Sequence, residues 1–286
     1  MSFRPPTIVT SNALSGVGAG LRPTHYEDIL QSNPRIDWFE ALTENYLVGG
    51  GQPIYYLEAI AERYPLTLHG VSLSIGSTDP LNVAYLQDVK ELAMRCQAML
   101  ISDHLCWTGI NGVNTHDLLP LPYNEEALAH LIPRVRQAQD ILERPLVLEN
   151  ISRYVSFADS TFNEWTFLAE LTRATNCRLL LDINNIYVNA HNFSFSAIEF
   201  IEGIPIDAVE QFHIAGFSAH NNLLVDTHDQ PVSTPVFELL AYAINRFGAK
   251  PILLERDDDI PALNELIHEL DSARNLLPKN STRYSV

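Results

Sequence analysis

The chain is short of cysteine, of positive charge and of long apolar runs, and each shortage removes a class of protein. Its three cysteines, Cys96, Cys106 and Cys177, are scattered and never form a C-x-x-C pair. A disulfide framework is thereby excluded, structural zinc or an iron–sulfur cluster is disfavoured, and a reduced, cytoplasmic setting is expected. Eighteen Lys and Arg stand against 35 Asp and Glu, a formal charge of -17. Such a surface repels phosphate backbones, so no nucleic-acid partner is expected, whereas a basic peptide or protein is compatible. No apolar stretch reaches the ~18 residues of a membrane span, so membrane insertion is not expected. Met1–Thr10 carries two prolines and lacks the apolar core of a secretory signal. G-x-S-x-G, Walker and Gly-rich dinucleotide sequences are missing too. Gly16-Val17-Gly18-Ala19-Gly20 reads instead as a first strand with a crowded backbone.

What is present is a repeated pattern. Eight strand-like runs occur: Gly16–Leu21, Ile36–Leu42, Pro65–His69, Ala98–His104, Pro145–Glu149, Arg178–Ile183, Val209–Ala215 and Pro251–Glu255. Short apolar runs of this kind predict buried strands of a parallel sheet. Helical periodicity separates them at Asn82–Cys96, Asn124–Leu142, Asn163–Thr175, Thr234–Phe247 and Ile260–Ala273, with Asn124 as an N-cap. Strand–helix alternation over this length predicts an α/β fold, a single (β/α)8 TIM barrel over residues 16–274. Residues 1–15 would form an N-terminal extension and residues 275–286 a flexible tail.

Six of these runs end on, or next to, a residue able to bind a metal: His69, His104, Glu149, Asp182, His213 and Glu255. Asp226-Thr227-His228 follows the seventh strand without a strand of its own. In a barrel the C-terminal ends of the strands share one rim, so the spacing predicts one metal site there. One ion takes about four to six ligands, so this donor set calls for two or three ions. Mixed imidazole and carboxylate ligation suits iron, manganese or zinc. Glu149, on a central strand, is placed to bridge two ions, and Asn185 could join Asp226 and His228 at an outer one. Burying so many carboxylates without a counter-charge would be costly, which weighs against a purely structural role. His25, His116, His130, His191, His220 and His268 are read as structural, His130 and His268 on helices and the others in connections. Cys106 is read as packing. Glu44-Asn45-Tyr46 ends the second strand on the same rim and is a candidate for lining a substrate pocket. Arg153 and Arg256 follow two candidate ligands and could orient them, contact a substrate carboxylate, or serve in surface salt bridges.

The local motifs also match a known family. They are Phe39-Glu40-Ala41-Leu42-Thr43-Glu44-Asn45-Tyr46, Leu68-His69-Gly70-Val71-Ser72-Leu73-Ser74 and Ser102-Asp103-His104-Leu105. Further on come Asp117-Leu118-Leu119-Pro120-Leu121-Pro122-Tyr123, Leu148-Glu149-Asn150, Leu181-Asp182-Ile183-Asn184-Asn185, His213-Ile214-Ala215-Gly216 and Asp226-Thr227-His228-Asp229. In this order the chain resembles the multinuclear non-heme iron-dependent oxidative enzymes, from about Gly16 to Ala273. The resemblance implies a xylose-isomerase-like barrel with two or three iron ions that uses O2 to oxidise cysteines of a ribosomally made precursor peptide. Oxazolone–thioamide or thiooxazole formation, or excision of the cysteine Cβ, are the implied chemistries. A small partner protein that recognises the peptide leader is implied, as is a link to copper homeostasis. By motif, His69, His104 and Glu149 would hold a first iron. Glu149, Asp182, His213 and Glu255 would hold a second, and Asn185, Asp226 and His228 a third. Glu44, Asn45 and Arg153 are the substrate candidates. Leu42 and Arg256-Asp257 depart from residues common in relatives, which bears on the substrate pocket rather than on the ligands.

Three other readings compete. A metal-dependent phosphodiesterase like the barrel-type apurinic endonucleases shares the plan, but the charge and Asn185 oppose it. A sugar isomerase of the same superfamily is a weaker possibility. A non-catalytic metal-homeostasis module is the non-enzymatic alternative.

Overall fold

The structure is a computed structural model that describes residues 13–278. Most of the expected N-terminal extension, the Met1–Thr10 segment examined for a secretory signal, and the tail from residue 279 lie outside the described residues. The described residues build twelve strands. They are β1 (Val17–Gly20), β2 (Phe39–Leu42), β3 (Leu66–Gly70), β4 (Ile101–His104), β5 (Trp107–Ile110) and β6 (Val113–Leu119), then β7 (Val147–Glu149), β8 (Arg178–Asp182), β9 (Val209–Ile214), β10 (Ser218–His220), β11 (Leu223–Val225) and β12 (Ile252–Leu254). Eight of them, in the order β1-β12-β9-β8-β7-β4-β3-β2, close a parallel barrel. These are the eight runs read from the sequence, with ends that move by three residues at most, all inward except at β3, which runs one residue further to Gly70. The remaining four form two hairpins, β5–β6 and β10–β11, that stand on the rim.

Nine helices are described: α1 (Tyr26–Ser32), α2 (Gln52–Ala61), α3 (Val83–Arg95), α4 (Glu125–Leu142), α5 (Glu164–Thr175), α6 (Ile183–Phe193), α7 (Ala197–Gly203), α8 (Thr234–Phe247) and α9 (Leu263–Arg274). Asn82, Asn124 and Asn163 each cap a helix by accepting an N–H three residues on. Asn275 closes α9, and Leu276 and Leu277 pack on the core, so the ordered chain runs past the expected start of the tail. The histidines expected in connections fall elsewhere: His25 in a 3-10 turn, His191 on α6, and His116 and His220 on the hairpins. No helix of the described residues is long and apolar enough to cross a membrane.

Side-chain alternation sorts the barrel interior into layers. Along each strand the odd and even residues face opposite sides. Phe39, Ala41, Leu66, Leu68, Phe212 and Ile214 face the helices and are buried there. The opposite parity points to the axis. Trp38, fully buried, fills the bottom, and Gly18 makes room for it, since an added Cβ would overlap the indole. One level up, Glu40 Oε2 accepts Thr67 Oγ1–H and Gln211 Nε2–H, both at 2.9 Å. Above that layer stand His69, His104, Glu149, Asp182, His213 and Glu255. Register fixes their level: His104 pairs with Glu149 across β4–β7, and Asp182 with His213 across β8–β9.

Candidate metal centre

Each imidazole at the rim is held by one nitrogen and aims the other inward. His104 Nδ1 lies 3.0 Å from the Gly70 carbonyl, which can only accept, so Nδ1 carries the proton and Nε2 the lone pair. His69 Nδ1 faces Ser102 Oγ at 2.8 Å, and that hydroxyl donates onward to Leu68 O. Its Nε2 then meets His104 Nε2 at 3.4 Å. Glu149 Oε2 lies 3.2 Å from His69 Nε2 and 3.3 Å from His104 Nε2. Burial, then His69, push His104 down to about 3, so its ring is neutral near pH 7, the form that ligates a metal. Nε2 of His69, Nε2 of His104 and Oε2 of Glu149 thus converge in a buried space as the donor set of one cation.

The other Glu149 oxygen faces a second group. His213 Nδ1 is 3.8 Å from Glu149 Oε1 and 3.3 Å from Glu255 Oε1, while its Nε2 is 3.1 Å from Glu40 Oε1. The four groups Glu149, Asp182, His213 and Glu255 present ligand atoms within 4.8 Å of one another, as do His69, His104 and Glu149. Asp182 also caps α6: its Oδ1 accepts the Asn185 N–H at 2.6 Å, which leaves Oδ2 facing inward. Burial, reinforced by Asp226 and Glu255, lifts the Asp182 carboxyl to about 8, and burial raises Glu149 well above the carboxylate range. A bound cation would oppose both shifts by stabilising the ionised carboxylates.

A third arm comes from loops. His228 Nδ1 faces Asp257 Oδ2 at 3.0 Å, and its Nε2 stands 2.7 Å from Asp226 Oδ1. Asn184 Nδ2 donates to that same Asp226 oxygen at 2.6 Å. Asn185 donates to the Asn150 carbonyl and leaves its own Oδ1 free. The motif Asp226-Thr227-His228 follows the short strand β11, a placement the sequence pattern lacked.

The fit to metal ions can be tested on unpartnered atoms. Glu149 Oε2, Asp182 Oδ2, Asn185 Oδ1, His213 Nδ1 and His228 Nε2 are all buried and make no well-formed hydrogen bond. Orphaned buried polar atoms are rare because each costs the desolvation of its group. Five of them gather at one barrel end, on the donor atoms that cations would satisfy. The residues present fit.

Not every expected site residue joins. Glu44 turns aside in the 3-10 turn Thr43–Tyr46: its Oε1 accepts Val71 N–H at 2.9 Å and Tyr85 Oη–H at 2.8 Å. Asn45 is exposed, and neither lines the central cavity. Arg256 faces away, its Nη2 2.8 Å from Glu269 Oε2 on α9. Arg153 does line the cavity. Four residues outside the expected site carry its support: Glu40 and Ser102 under the imidazoles, Asn184 on Asp226, and Asp257, which pairs with Arg22 as well as His228. Glu40 was legible in principle, since it shares inward parity with Thr67 and Gln211 on neighbouring strands.

Above the ligands opens a cavity of about 720 Å³, walled by Leu42, Val71, Leu118, Ile151, Val225 and Leu253 with Arg22, Asp117 and Asp257 among its polar edges. It is large enough for a peptide segment.

The comparisons with known proteins place this geometry in a family. Among solved structures, a D-psicose 3-epimerase from Clostridium cellulolyticum H10 superposes with a TM-score of 0.62 at 14% identity, over 91% of this chain and 96% of that one. A xylose isomerase-like TIM barrel protein from Mycobacterium smegmatis, in complex with magnesium, gives 0.59 at 10% identity over 92% and 98%. At such identities the likeness is one of fold. A UPF0276 protein of Caulobacter vibrioides is 51% identical over 267 residues, 93% of this chain and 95% of that protein. A UPF0276 protein of Acaryochloris marina is 46% identical over 270 residues, 94% and 98% of the two chains. The family model described as RiPP precursor modification enzyme MbnB/TglH/ChrH matches residues 16–278. The chain therefore belongs to that family, whose name denotes enzymes modifying ribosomally synthesised and post-translationally modified peptides.

Proposed function

We propose that the chain is a multinuclear non-heme iron-dependent oxidase that uses O2 to modify cysteine residues of a ribosomally synthesised precursor peptide. The observation that carries the reading is the cluster of five orphaned, buried donor atoms beneath a peptide-sized cavity. His69, His104 and Glu149 would hold one ion, Glu149, Asp182, His213 and Glu255 a second, and Asn185, Asp226 and His228 a third. The donor set is imidazole, carboxylate and amide without thiolate, which suits iron and leaves coordination positions for a substrate sulfur. When bound, iron supplies the redox chemistry with O2 and the positive charge that keeps a substrate thiol ionised.

The rest of the work falls to the chain. Glu40, Ser102, the Gly70 carbonyl and Asp257 each hold one nitrogen of the four imidazoles, so that the other nitrogen is aimed inward, where a bound cation would take its lone pair. The apolar walls exclude water from the reacting centre. Tyr154 Oη accepts the Asp226 N–H at 3.0 Å and ties two rim loops together beside the cavity. Cys96, Cys106 and Cys177 are all buried and unpaired, so the protein's own thiols are shielded from the oxidation it performs, in keeping with a reduced cytoplasmic setting. A small partner protein would present the peptide leader, and the acidic surface suits a basic partner.

Anaerobic purification followed by metal analysis tests the assignment. Iron at two or three per chain is expected, and His69→Ala or Glu149→Ala should lower it by at least one while the fold persists by circular dichroism. Incubation with a Cys-containing peptide encoded beside the gene should give an oxygen-dependent mass change. Zinc alone after iron-supplemented expression, with no mass change, overturns the reading.

A further inference from the structure

A second cavity of about 270 Å³ lies beside the first, under the loop that leads from β7 to α5. Its lining is dominated by six aromatic rings: Tyr123, Phe157, Phe162, Trp165, Phe193 and Phe195. It shares Pro120, Arg153 and Val155 with the metal cavity, so the two adjoin. Arg153 forms the partition. Its guanidinium lies 4.0 Å from the Phe193 ring centre and 5.7 Å from that of Tyr123, and its Nε is 3.3 Å from Glu164 Oε2. That contact is buried, and apart from it and Ser156, Ser160 and Asn163 the lining is apolar. The Arg153 η nitrogens make none of the hydrogen bonds found among the described residues, so they remain available to an acceptor. The loop itself is pinned at both ends. Asn189 accepts the Arg153 N–H and donates to the Ile151 carbonyl, while Thr161 and Phe162 donate to the Tyr123 carbonyl. Between the pins, Tyr154, Val155 and Phe157 are exposed at the rim.

We propose that this second cavity is a side-chain subsite for the peptide substrate, taking an aromatic or large aliphatic residue that flanks the reacting cysteine, with Arg153 donating to the peptide backbone between the two cavities. The inference rests on the peptide-modifying reading above. The occupant follows from adjacency and chemistry. A chain threaded into the metal cavity passes Arg153, whose fork is pre-oriented by two rings and can bond a backbone carbonyl. The next side chain then meets the aromatic pocket. A charged side chain there would lose its hydration with only an already paired arginine and glutamate nearby. An acidic one would also face Asp117, Asp226 and Asp257 on the metal-cavity side.

Calorimetric titration of the metal-loaded protein under anaerobic conditions tests this, with blocked Gly-Gly-Cys-Gly-Gly as parent peptide. Phe, Leu, Asp or Lys replaces one glycine at a time. At one position Phe and Leu should bind at least tenfold tighter than Asp and Lys, the scale of burying one large apolar side chain. Ser156→Trp, which fills the pocket from its exposed rim, should abolish that preference while leaving parent-peptide affinity and metal content within twofold. Val155→Asp should weaken the Phe peptide and favour the Lys peptide. Equal affinity for all replacements, or an unchanged preference in both variants, overturns the subsite. Failure of the proposed function is seen separately, as peptides that bind with the expected preference but show no oxygen-dependent mass change.

Discussion

Replacing Glu40 by Gln changes one atom, yet it should weaken metal binding by an order of magnitude or more. Glu40 is buried on β2, one layer below the ligands, with Oε1 3.1 Å from His213 Nε2 and Oε2 accepting from Thr67 and Gln211. A carboxylate can only accept, so with a cation bound beside Glu149 and Glu255 the His213 ring would give its Nδ1 lone pair to the cation and keep its proton on Nε2, facing Glu40. A glutamine retains one acceptor for Thr67 and Gln211 and turns its amide N–H toward His213 Nε2. The ring must then place its proton on Nδ1, where a cation would sit. Loss of such a support residue costs about 10–100-fold in metal affinity, equivalent to about 1.4–2.8 kcal/mol. Loss of the charge-assisted hydrogen bond should also lower the stability of the metal-free protein, by about 1.5–3 kcal/mol at most. Competition titration against a chelator of known affinity measures the first quantity, and thermal unfolding of the metal-free protein the second. Thr67→Val is the control, since it removes a neighbour of Glu40 without touching the proton on His213, and its metal affinity should fall less than that of Glu40→Gln. An affinity unchanged within twofold in Glu40→Gln, measured with a folded protein, refutes the tautomer argument.

Two further perturbations follow from single observations. Gly70→Ala would overlap Asp103 Oδ2 and set its Cβ 2.8 Å from Tyr85 Oη, so the end of β3 must shift. Because that end carries His69 and the carbonyl that orients His104, we expect about 1–3 kcal/mol of lost stability and reduced metal content. Gly49→Ala, with nothing within 4 Å, should alter neither, and equal behaviour of the two variants in melting and metal assays counts against the packing argument. Glu164 supplies a pH signature: burial lifts it from 4.5 to about 7 despite Arg153. A raised folded value stabilises the protein most below pH 4.5, and that contribution is lost as pH rises to about 7, a span of about 3 kcal/mol. Glu164→Gln stays neutral throughout, so its unfolding free energy should lack this decline, and parallel wild-type and variant curves between pH 4.5 and 8 contradict the assignment.

The barrel was readable because its strands are buried on both sides and so stand out as apolar runs, each bounded by polar or helix-capping residues. The two hairpins were not, because β6 is largely exposed and carries no apolar alternation, and β10 and β11 are three residues each. Helix α6 escaped notice for another reason: it starts directly after Asp182, with the ligand itself as N-cap, so no loop marks its beginning. The candidate ligands at strand ends were legible from position alone, whereas Asn185, an amide without a charge signal, was legible only through its place three residues after Asp182 and through the family resemblance. Position alone also misdirected. Glu44 and Arg256 stand beside strand ends, but a 3-10 turn swings Glu44 toward Tyr85, and Arg256 follows its strand's outward parity to Glu269. Sequence distance from a strand end fixes the level of a residue; parity and the next turn decide whether it faces the axis.

The layering explains why so polar a centre can sit inside a closed barrel. An apolar floor at Trp38 seals one end, and a hydrogen-bonded layer of Glu40, Thr67 and Gln211 separates it from the ligands. Each layer satisfies the one above: Glu40 reaches up to His213, and Ser102, on the same strand as His104, reaches across to His69. Trp38 Nε1 and Gln211 Oε1 are left without a partner in the lower layers, but the unsatisfied atoms cluster most densely on the inward side of the candidate ligand set. The first two ligand groups sit on strands locked in register, and rigid elements hold site geometry better than loops. The third arm compensates by anchoring its loop at both faces of one residue. His228 adopts a positive φ of 52°, with its N–H bonded to Gly216 O and its carbonyl accepting from Asp257. Asp257 thus grips His228 twice, at the ring and at the backbone, and Arg22 from the first strand's end holds Asp257 in turn. The loop ligand is therefore tied back to the barrel it leaves, and the strain of a left-handed histidine is maintained by contacts whose common purpose is the direction of one nitrogen.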